Sequence, residues 1–355
     1  MEKHYFITGG AGFIGSNYVA RLLKRGEKVT VYDNLSRSGN HLNLEWLRET
    51  YGENSFTMIY GDIRDASLLA ESAKDADVIV HLAAQVAVTT SVVDPRDDFE
   101  CNALGTFNIM EAARLSGHKP IVLYASTNKV YGGMEDVKIV ENGGAYHYAE
   151  LPNGVPESFP LDFHSPYGCS KGAGDQYVRD YHRIYDIPTV VFRQSCIYGP
   201  RQFGVEDQGW IAWFIIAAET GKPIMIYGDG KQVRDVLFVD DLLDAYDAAI
   251  ENIDDVAGEV FNIGGGIGNM LSVWSEFGPM LEELRKAPLP VGHGVWRPGD
   301  QKIYVSDIRK ADAMLNWSPK TSVREGVEKL YRWVSQNRSL FIPQETSVPE
   351  MQVRD

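Results

Sequence analysis

The chain reads as an α/β protein: a Rossmann doubly wound parallel sheet with a smaller mixed α/β substrate-binding domain. Three observations predict this. Short apolar runs alternate with helix-period segments through the N-terminal half. A glycine-rich turn joins the first run to the first helical segment. After Arg193 the elements shorten and that rhythm is lost.

Taken in order, residues 4–8 form an apolar strand and residues 13–24 have helical period. Further strands are expected over 28–32, 56–60, 78–82 and 120–125, with a long helix over 97–116. Helices between strands are crossovers, which imply parallel pairing. Residues 132–165 are rich in Gly, Pro and Glu and are expected to be a structureless functional loop. A helix over 165–185 and a strand over 189–192 follow. Beyond them come a helix over 210–220, short strands over 224–227 and 236–238, and a helix over 240–251. A main-sheet strand over 260–263 and an amphipathic helix over 322–335 complete the series. The expected division is a dinucleotide-binding domain of residues 1–193 plus about 235–263, a substrate domain of about 194–234 plus 264–338, and a tail over 339–355.

Composition excludes several classes of function. Lys and Arg total 34 against 49 Asp and Glu, a net charge of −15, which disfavours nucleic acid and anionic membranes as partners. No secretory signal pattern is visible, and no apolar stretch approaches the roughly 20 residues that span a bilayer. Three widely spaced cysteines, Cys101, Cys169 and Cys196, point to a reduced, cytoplasmic protein. The eight histidines show no metal-ligand pair on one helix, so no metal is expected.

Thr8-Gly-Gly-Ala-Gly-Phe-Ile-Gly15 sits between the first strand and the first helix. Gly9, Gly12 and Gly15 permit a tight turn and close approach of backbone to a pyrophosphate. The helix N-terminus adds N–H groups and partial positive charge. Asp33, at the end of the second strand, suits the hydroxyls of an adenosine ribose and repels a 2′-phosphate, so the cofactor is expected to be NAD. Arg37 is followed by Ser38 rather than a second arginine, which leaves the case for NADP weak. Tyr167-Gly-Cys-Ser-Lys171 places a phenol and an ammonium on one helical face. The lysine is expected to lower the phenol's pKa from about 10, so that Tyr167 can exchange a proton with a substrate hydroxyl. Thr127, after the fifth strand, can donate to the same oxygen.

With these motifs in place, the chain resembles the extended short-chain dehydrogenases/reductases of the nucleotide-sugar epimerase and dehydratase group. Gly61-Asp-Ile63, His81-Leu-Ala-Ala84, Asn102, Tyr198-Gly-Pro200, Arg234-Asp235 and Arg297-Pro-Gly-Asp300 extend the match along nearly the whole chain. The resemblance implies that Asp62 and Ile63 flank the adenine and that Ala83 and Ala84 line the cofactor. Phe13, Ile14, Asn34, Gln85 and Asn102 complete the implied cofactor set, and Lys171 also reaches the nicotinamide ribose. It implies that Arg234 and Arg297 grip a nucleotide diphosphate, with Gln194 and Arg201 also in the substrate set. Surface ion pairing is the plainer reading of Arg201. Many relatives place a diphosphate-binding Asn where this chain has Cys196, a poor donor.

The residues after Thr127 bear on the reaction. Dehydratases resembling this chain carry an acidic pair there. Here the pair is Asn128-Lys129, and an amide cannot act as the general acid for elimination. The runs 126–132, 161–172 and 199–210 resemble those of CDP-tyvelose/CDP-paratose 2-epimerases. That implies a CDP-linked hexose, inversion at C2 through a transient keto sugar, and NAD kept bound through turnover. Asn128 and His164 are candidates to hold the sugar, although His164 equally suits the residue before a helix cap at Ser165. A nucleotide-sugar 4-epimerase and a non-catalytic NAD-sensing protein remain open as alternatives. In proteins the chain resembles, the helices over 97–116 and 165–185 pair between subunits, so a homodimer or homotetramer is expected.

Overall fold

The computed structural model describes residues 2–296 and 300–342. Its centre is a seven-stranded sheet built from β1 (His4–Thr8), β2 (Lys28–Asp33), β3 (Thr57–Tyr60), β4 (Val78–His81), β5 (Ile121–Thr127), β6 (Thr189–Gln194) and β7 (Val260–Ile263). The spatial order is β7-β6-β5-β4-β1-β2-β3, and every neighbouring pair is parallel. The expected α/β class and all seven expected main-sheet strands are present.

Successive side chains point to opposite faces of a strand. Tyr5, Ile7, Val29, Val31, Val78, Val80, Leu123, Val190 and Phe192 accordingly enter one core, while Phe6, Ile79, Val122, Tyr124 and Val191 enter the other. Both faces are covered, which is why the strands read as continuous apolar runs rather than alternating ones. The first face is covered by α1 (Phe13–Lys24), followed in the chain by α2 (Asn40–Tyr51). The second is covered by α3 (Ala66–Ala73), α4 (Gly105–Leu115) and α5 (Ser165–Tyr185). Helix α6 (Val239–Glu251) returns to the first face, where Arg21 of α1 meets Asp244 at 2.7 Å and Asp247 at 3.1 Å.

Several segments differ from the sequence reading, among them helix α3 and a short helix Val88–Val93, neither of which it contained. Helix α2 buries Asn40 and Asn43 beside Leu44 and Leu47, so its inner face is half polar and its period is masked. The long helix expected over 97–116 is helical from Pro95 to Leu115 but passes through a π-helical segment, Glu100–Leu104. The stretch 132–165 is not structureless. Ile139–Asn142 and Ala145–Tyr148 form an antiparallel hairpin closed by Gly143 and Gly144, with φ of 61° and 82°. Two successive positive φ angles match a type I′ turn, which glycine adopts without strain. The hairpin lays Tyr146 against Val233, Ile303 and Val305.

The remaining strands are short. Val233–Asp235 lies between Met270–Ser272 and Ile303–Tyr304, and Ile224–Tyr227 pairs with Val291–Gly294. Helix Trp210–Thr220 packs its buried residues into the first main-sheet core, which therefore runs on without a break. Among the described residues no helix is long and apolar enough to cross a membrane.

One buried ion pair fastens α5 to the sheet. Asp175 and Arg193, 0% and 2% exposed, meet through Nε–Oδ2 at 2.9 Å and Nη2–Oδ1 at 3.0 Å. Asp175→Ala should cost about 3–5 kcal/mol because it strands a buried guanidinium. Asp244→Ala, at a partly exposed carboxylate, should cost at most about 1 kcal/mol. Urea denaturation of the two variants checks the contrast, and equal losses would contradict it.

Candidate active site

The sheet order reverses between β1 and β4, and a cleft opens at their carboxyl ends, as it does in open α/β sheets generally. It encloses about 560 Å³ between the glycine turn, the ends of β5 and β6, α5 and the segment 196–211. The turn is built to exclude side chains. A Cβ on Gly15 would stand 2.2 Å from Gly9 O, and one on Gly9 would stand 2.7 Å from Ala83 N. Helix α1 begins at Gly12 with no side-chain cap and no acidic residue in its first turn. Its leading amides therefore present uncancelled positive potential to the cleft, alongside Phe13 and Ile14. This cradle fits a dinucleotide's pyrophosphate.

Asp33 lies at the cleft wall, buried, with Oδ1 accepting from Leu35 N at 2.7 Å and Oδ2 from Ala11 N at 3.1 Å. Burial raises its pKa and these backbone donors oppose the rise. Asn34 donates to Asp62 at 3.1 Å. Asp62 is gripped by Arg64 at 2.6 Å, and that hydrogen bond chiefly pulls its pKa down to about 2. Ile63, Ala83 and Ala84 line the same side.

Asn102 and Gln85 are displaced from the positions the sequence suggested. Asn102 is buried beneath the cleft floor rather than lining it. Its Nδ2 lies 3.0 Å from Gln85 O, 3.1 Å from Asp98 Oδ1 and 3.2 Å from Ser170 Oγ, while its Oδ1 accepts from Gln85 N at 2.9 Å. Gln85 closes on Ala87 through two 2.8 Å hydrogen bonds. Both residues shape the loop behind Ala83 and Ala84. The π-helical segment is what turns Asn102 inward, a common use of such bulges.

Thr127, Tyr167 and Lys171 meet at the cleft floor. Burial pushes Tyr167 up to about 12, opposed by a hydrogen bond with Thr127 and by the charge of Arg37. The expected downward shift from Lys171 is thus not found: desolvation dominates, and Lys171 is not among the groups that act on the phenol. Lys171 Nζ instead stands 4.3 Å from the centroid of the Tyr124 ring, and burial lowers its pKa to about 8. Asp98, fully buried, accepts from Ser170 Oγ at 2.5 Å between the two catalytic candidates.

The substrate candidates divide. Asn128 and Gln194 line the cleft, and Gln194 Nε2 donates to Tyr246 OH at 2.5 Å. Arg234 is buried and paired with Asp300 at 2.8 Å, and it is Asp300 that faces the cleft. Arg201 lines the cleft, but its guanidinium lies 4.0 Å from the Trp46 ring centroid and 5.6 Å from that of Trp333. That cation–π seat places it on the α2 side, away from Arg234. His164 stands apart from the cleft, exposed, with Nε2 2.9 Å from Asp162 Oδ2. Arg297 lies outside the described residues. Sequence reasoning missed Asp98, quoted Asp300 only as part of a motif, and gave neither Arg37 nor Lys129 a site role. All but Asp98 line the cleft. An aspartate inside a helical segment and a lysine on a turn carry no motif of their own.

A parallel sheet with this glycine turn, and a cleft floored by Tyr167, Lys171 and Thr127, defines an extended short-chain dehydrogenase/reductase. The family model described as GDP-mannose 4,6 dehydratase matches residues 6–330. A CDP-paratose 2-epimerase of Salmonella typhi is 45% identical over 343 residues, covering 93% of this chain and 98% of that protein. A putative UDP-glucose 4-epimerase of Methanocaldococcus jannaschii is 33% identical, with 93% and 98% covered. The solved UDP-glucose 4-epimerase of Thermotoga maritima with UDP-glucose superposes with a TM-score of 0.81 at 30% identity, covering 94% of this chain and 99% of that one. The NAD-bound dTDP-glucose 4,6-dehydratase DesIV of Streptomyces venezuelae gives 0.81 at 30%, covering 95% and 98%. The chain belongs to the GDP-mannose 4,6-dehydratase family of extended short-chain dehydrogenases/reductases, which bears out the resemblance read from its motifs.

The buried lysine makes a pH prediction. Burial lowers Lys171 to about 8 in the folded chain against an ordinary lysine value of 10.5, so the unfolded chain holds the extra proton between those pH values. Stability contributed by this group therefore rises with pH across that window. Lys171→Met should reduce the stability gained between pH 7 and pH 9.5, read from urea midpoints of ligand-free protein. An unchanged gain would show that Lys171 is not strained by burial.

Proposed function

We propose that the chain is an NAD-dependent nucleotide-sugar epimerase that inverts C2 of a CDP-linked hexose. The observation that carries this reading is the cleft floor itself. Thr127 and Tyr167 are set for proton exchange with a sugar hydroxyl, while Asn128-Lys129 stands where elimination would need an acidic pair. The 45% identity to a CDP-paratose 2-epimerase supports C2 and cytidine.

The glycine turn and the start of α1 hold the pyrophosphate, Asp33 the adenosine ribose, and Asp62 and Ile63 the adenine. NAD bound there supplies a reversible two-electron acceptor. The protein's own part is proton handling and orientation. Thr127 donates to the reacting sugar oxygen, and Tyr167 takes the hydroxyl proton and later returns it. Burial keeps the phenol protonated, and the hydrogen bond with Thr127 and the charge of Arg37 favour its phenolate. Enclosure of the phenol keeps water from the keto sugar while it turns between its two faces.

The NAD-binding part in this reading is residues 1–193 plus about 235–263, and the nucleotide-sugar part about 194–234 plus 264–338. The active form is proposed to be a homodimer or homotetramer. Phe107 and Tyr177 pack edge to face at 5.8 Å on neighbouring helices yet remain 37% and 47% exposed, and Phe99 and Ile184 are 58% and 63% exposed. An apolar face of this kind suits a second copy of the chain.

Incubation with CDP-glucose or CDP-paratose, followed by NMR of the sugar, tests the reaction. Inversion at C2 is expected; inversion at C4 would replace the reading with the 4-epimerase, and no conversion would favour a sensor. Tyr167→Phe should lower kcat by about 10²–10⁴-fold while NAD stays bound. Phe107→Asp with Tyr177→Asp should shift the sedimenting species to the monomer, and an unmoved species would place the interface elsewhere.

A further inference from the structure

The cleft beyond Thr127 carries a cation that the proton chemistry leaves unused. Lys129 lies on the 3-10 turn Asn128–Tyr131 directly after β5, and its amide donates to Thr127 Oγ1 at 3.2 Å. That turn is rigidly held. Val130 and Tyr131 are fully buried, and Tyr131 OH donates to Asn262 Oδ1 at 2.7 Å. The Lys129 side chain lines the cleft, and Nζ donates to Gln301 Oε1 at 3.2 Å. Gln301 is itself fixed by donating from Nε2 to Gly132 O at 2.5 Å. Among the described residues Gln301 is the only hydrogen-bond partner of Nζ. An ammonium has three N–H donors, so two are left to the cleft.

The charges around it sharpen the point. Arg234 and Asp300 are the neighbouring ions, and they are already paired with each other at 2.8 Å. Among the described residues Lys129 has no carboxylate at ion-pair distance, Asp300 acting on it only as a charge already paired with Arg234, in a chain whose net charge is −15. A poorly solvated ammonium costs free energy unless a ligand oxygen meets it. Burial and Arg234 together lower its pKa to about 8, a strain of the kind found at functional sites.

We propose that Lys129 is a specificity-determining substrate residue whose ammonium donates hydrogen bonds to hydroxyl oxygens of the bound hexose. The inference rests on the nucleotide-sugar reading above. It favours the sugar over the diphosphate because Lys129 is two residues from Thr127, on a turn clamped to the strand that presents the threonine hydroxyl. An ammonium there holds a hydroxyl in place and, while protonated, cannot take the carbon-bound proton that loss of water requires. The same residue would then set the sugar's pose and confine the reaction to inversion.

Isothermal titration of the NAD-loaded full chain tests this. CDP-, UDP-, GDP- and dTDP-glucose are compared with the matching bare nucleoside diphosphates, for wild type and Lys129→Met. Loss of a charged hydrogen bond should weaken the tightest nucleotide hexose by about 10- to 100-fold. The bare diphosphate should be unchanged, and so should NAD content. Equal weakening of hexose and diphosphate would assign Lys129 to the phosphates and overturn the proposal, as would no weakening at all. A wild type that binds none of the panel overturns the nucleotide-sugar reading and this proposal together. Lys129→Gln, which keeps a donor, should recover part of the loss and supplies the same ratio if the methionine variant does not fold.

Discussion

The attachment of α5 to the sheet decides where the chemistry of this protein can occur. Asp175 accepts from Arg193 of β6 at 2.9 and 3.0 Å and from Ser126 of β5 at 2.9 Å, so one carboxylate joins three elements. One turn earlier Ser170 is tied to Asp98 and Asn102, which reach it from the helix that follows β4. Close packing adds to the polar clamps. A Cβ on Gly174 would lie 2.4 Å from Tyr124 OH, so the helix lies against the strand with no room for a side chain. Tyr167 and Lys171 ride on this helix, and Thr127 ends the strand beneath it. Their meeting is therefore set by buried contacts outside the cleft, as a site that must hold its geometry requires.

The same enclosure sets the electrostatics. Lys129 and Lys171 both titrate near 8, and Tyr167 near 12, each shifted chiefly by desolvation. None of the three is met by a carboxylate at ion-pair distance among the described residues. In a chain with a large excess of acidic groups, this is an uneven distribution. Carboxylates populate the surface, the helix seams and parts of the cleft wall, Asp33, Asp62 and Asp300 among them, while the cleft floor keeps two lysines whose charge is poorly solvated. A ligand rich in oxygen and phosphate relieves that condition, which links the cost of forming the cleft to its affinity.

The features legible in the sequence were those with a short-range physical signature. Apolar runs, a glycine turn between strand and helix, and a Tyr–Lys pair four residues apart each state their geometry locally. Other features depend on distant contacts. Helix α2 hid its period because Asn40 reaches Asp33 and Asn43 reaches the backbone at Ala11. The hairpin over 139–148 has one largely exposed strand and one largely half-buried strand, so neither alternates clearly and its only local sign was Gly143-Gly144. Arg201 was drawn to Trp46 and Trp333, which are far from it in the chain. The direction of the Tyr167 shift was misjudged because the pairing rule is local, whereas burial is a property of the whole fold.

The family to which the chain belongs includes both dehydratases and epimerases, so fold and cofactor site cannot separate the two outcomes. The difference must lie in groups that touch the sugar after its oxidation. In this chain the proposed groups sit on the short turn after β5, directly beyond Thr127. A carboxylic acid and a carboxylate at such a turn would supply proton donor and acceptor for loss of water. On the proposed reading, the Lys129 ammonium holds hydroxyls of the oxidised sugar, and the Asn128 amide neither gives nor takes a proton, so the turn offers no base for loss of water. On that reading the oxidised sugar is left to be reduced, and inversion follows when the face presented has changed.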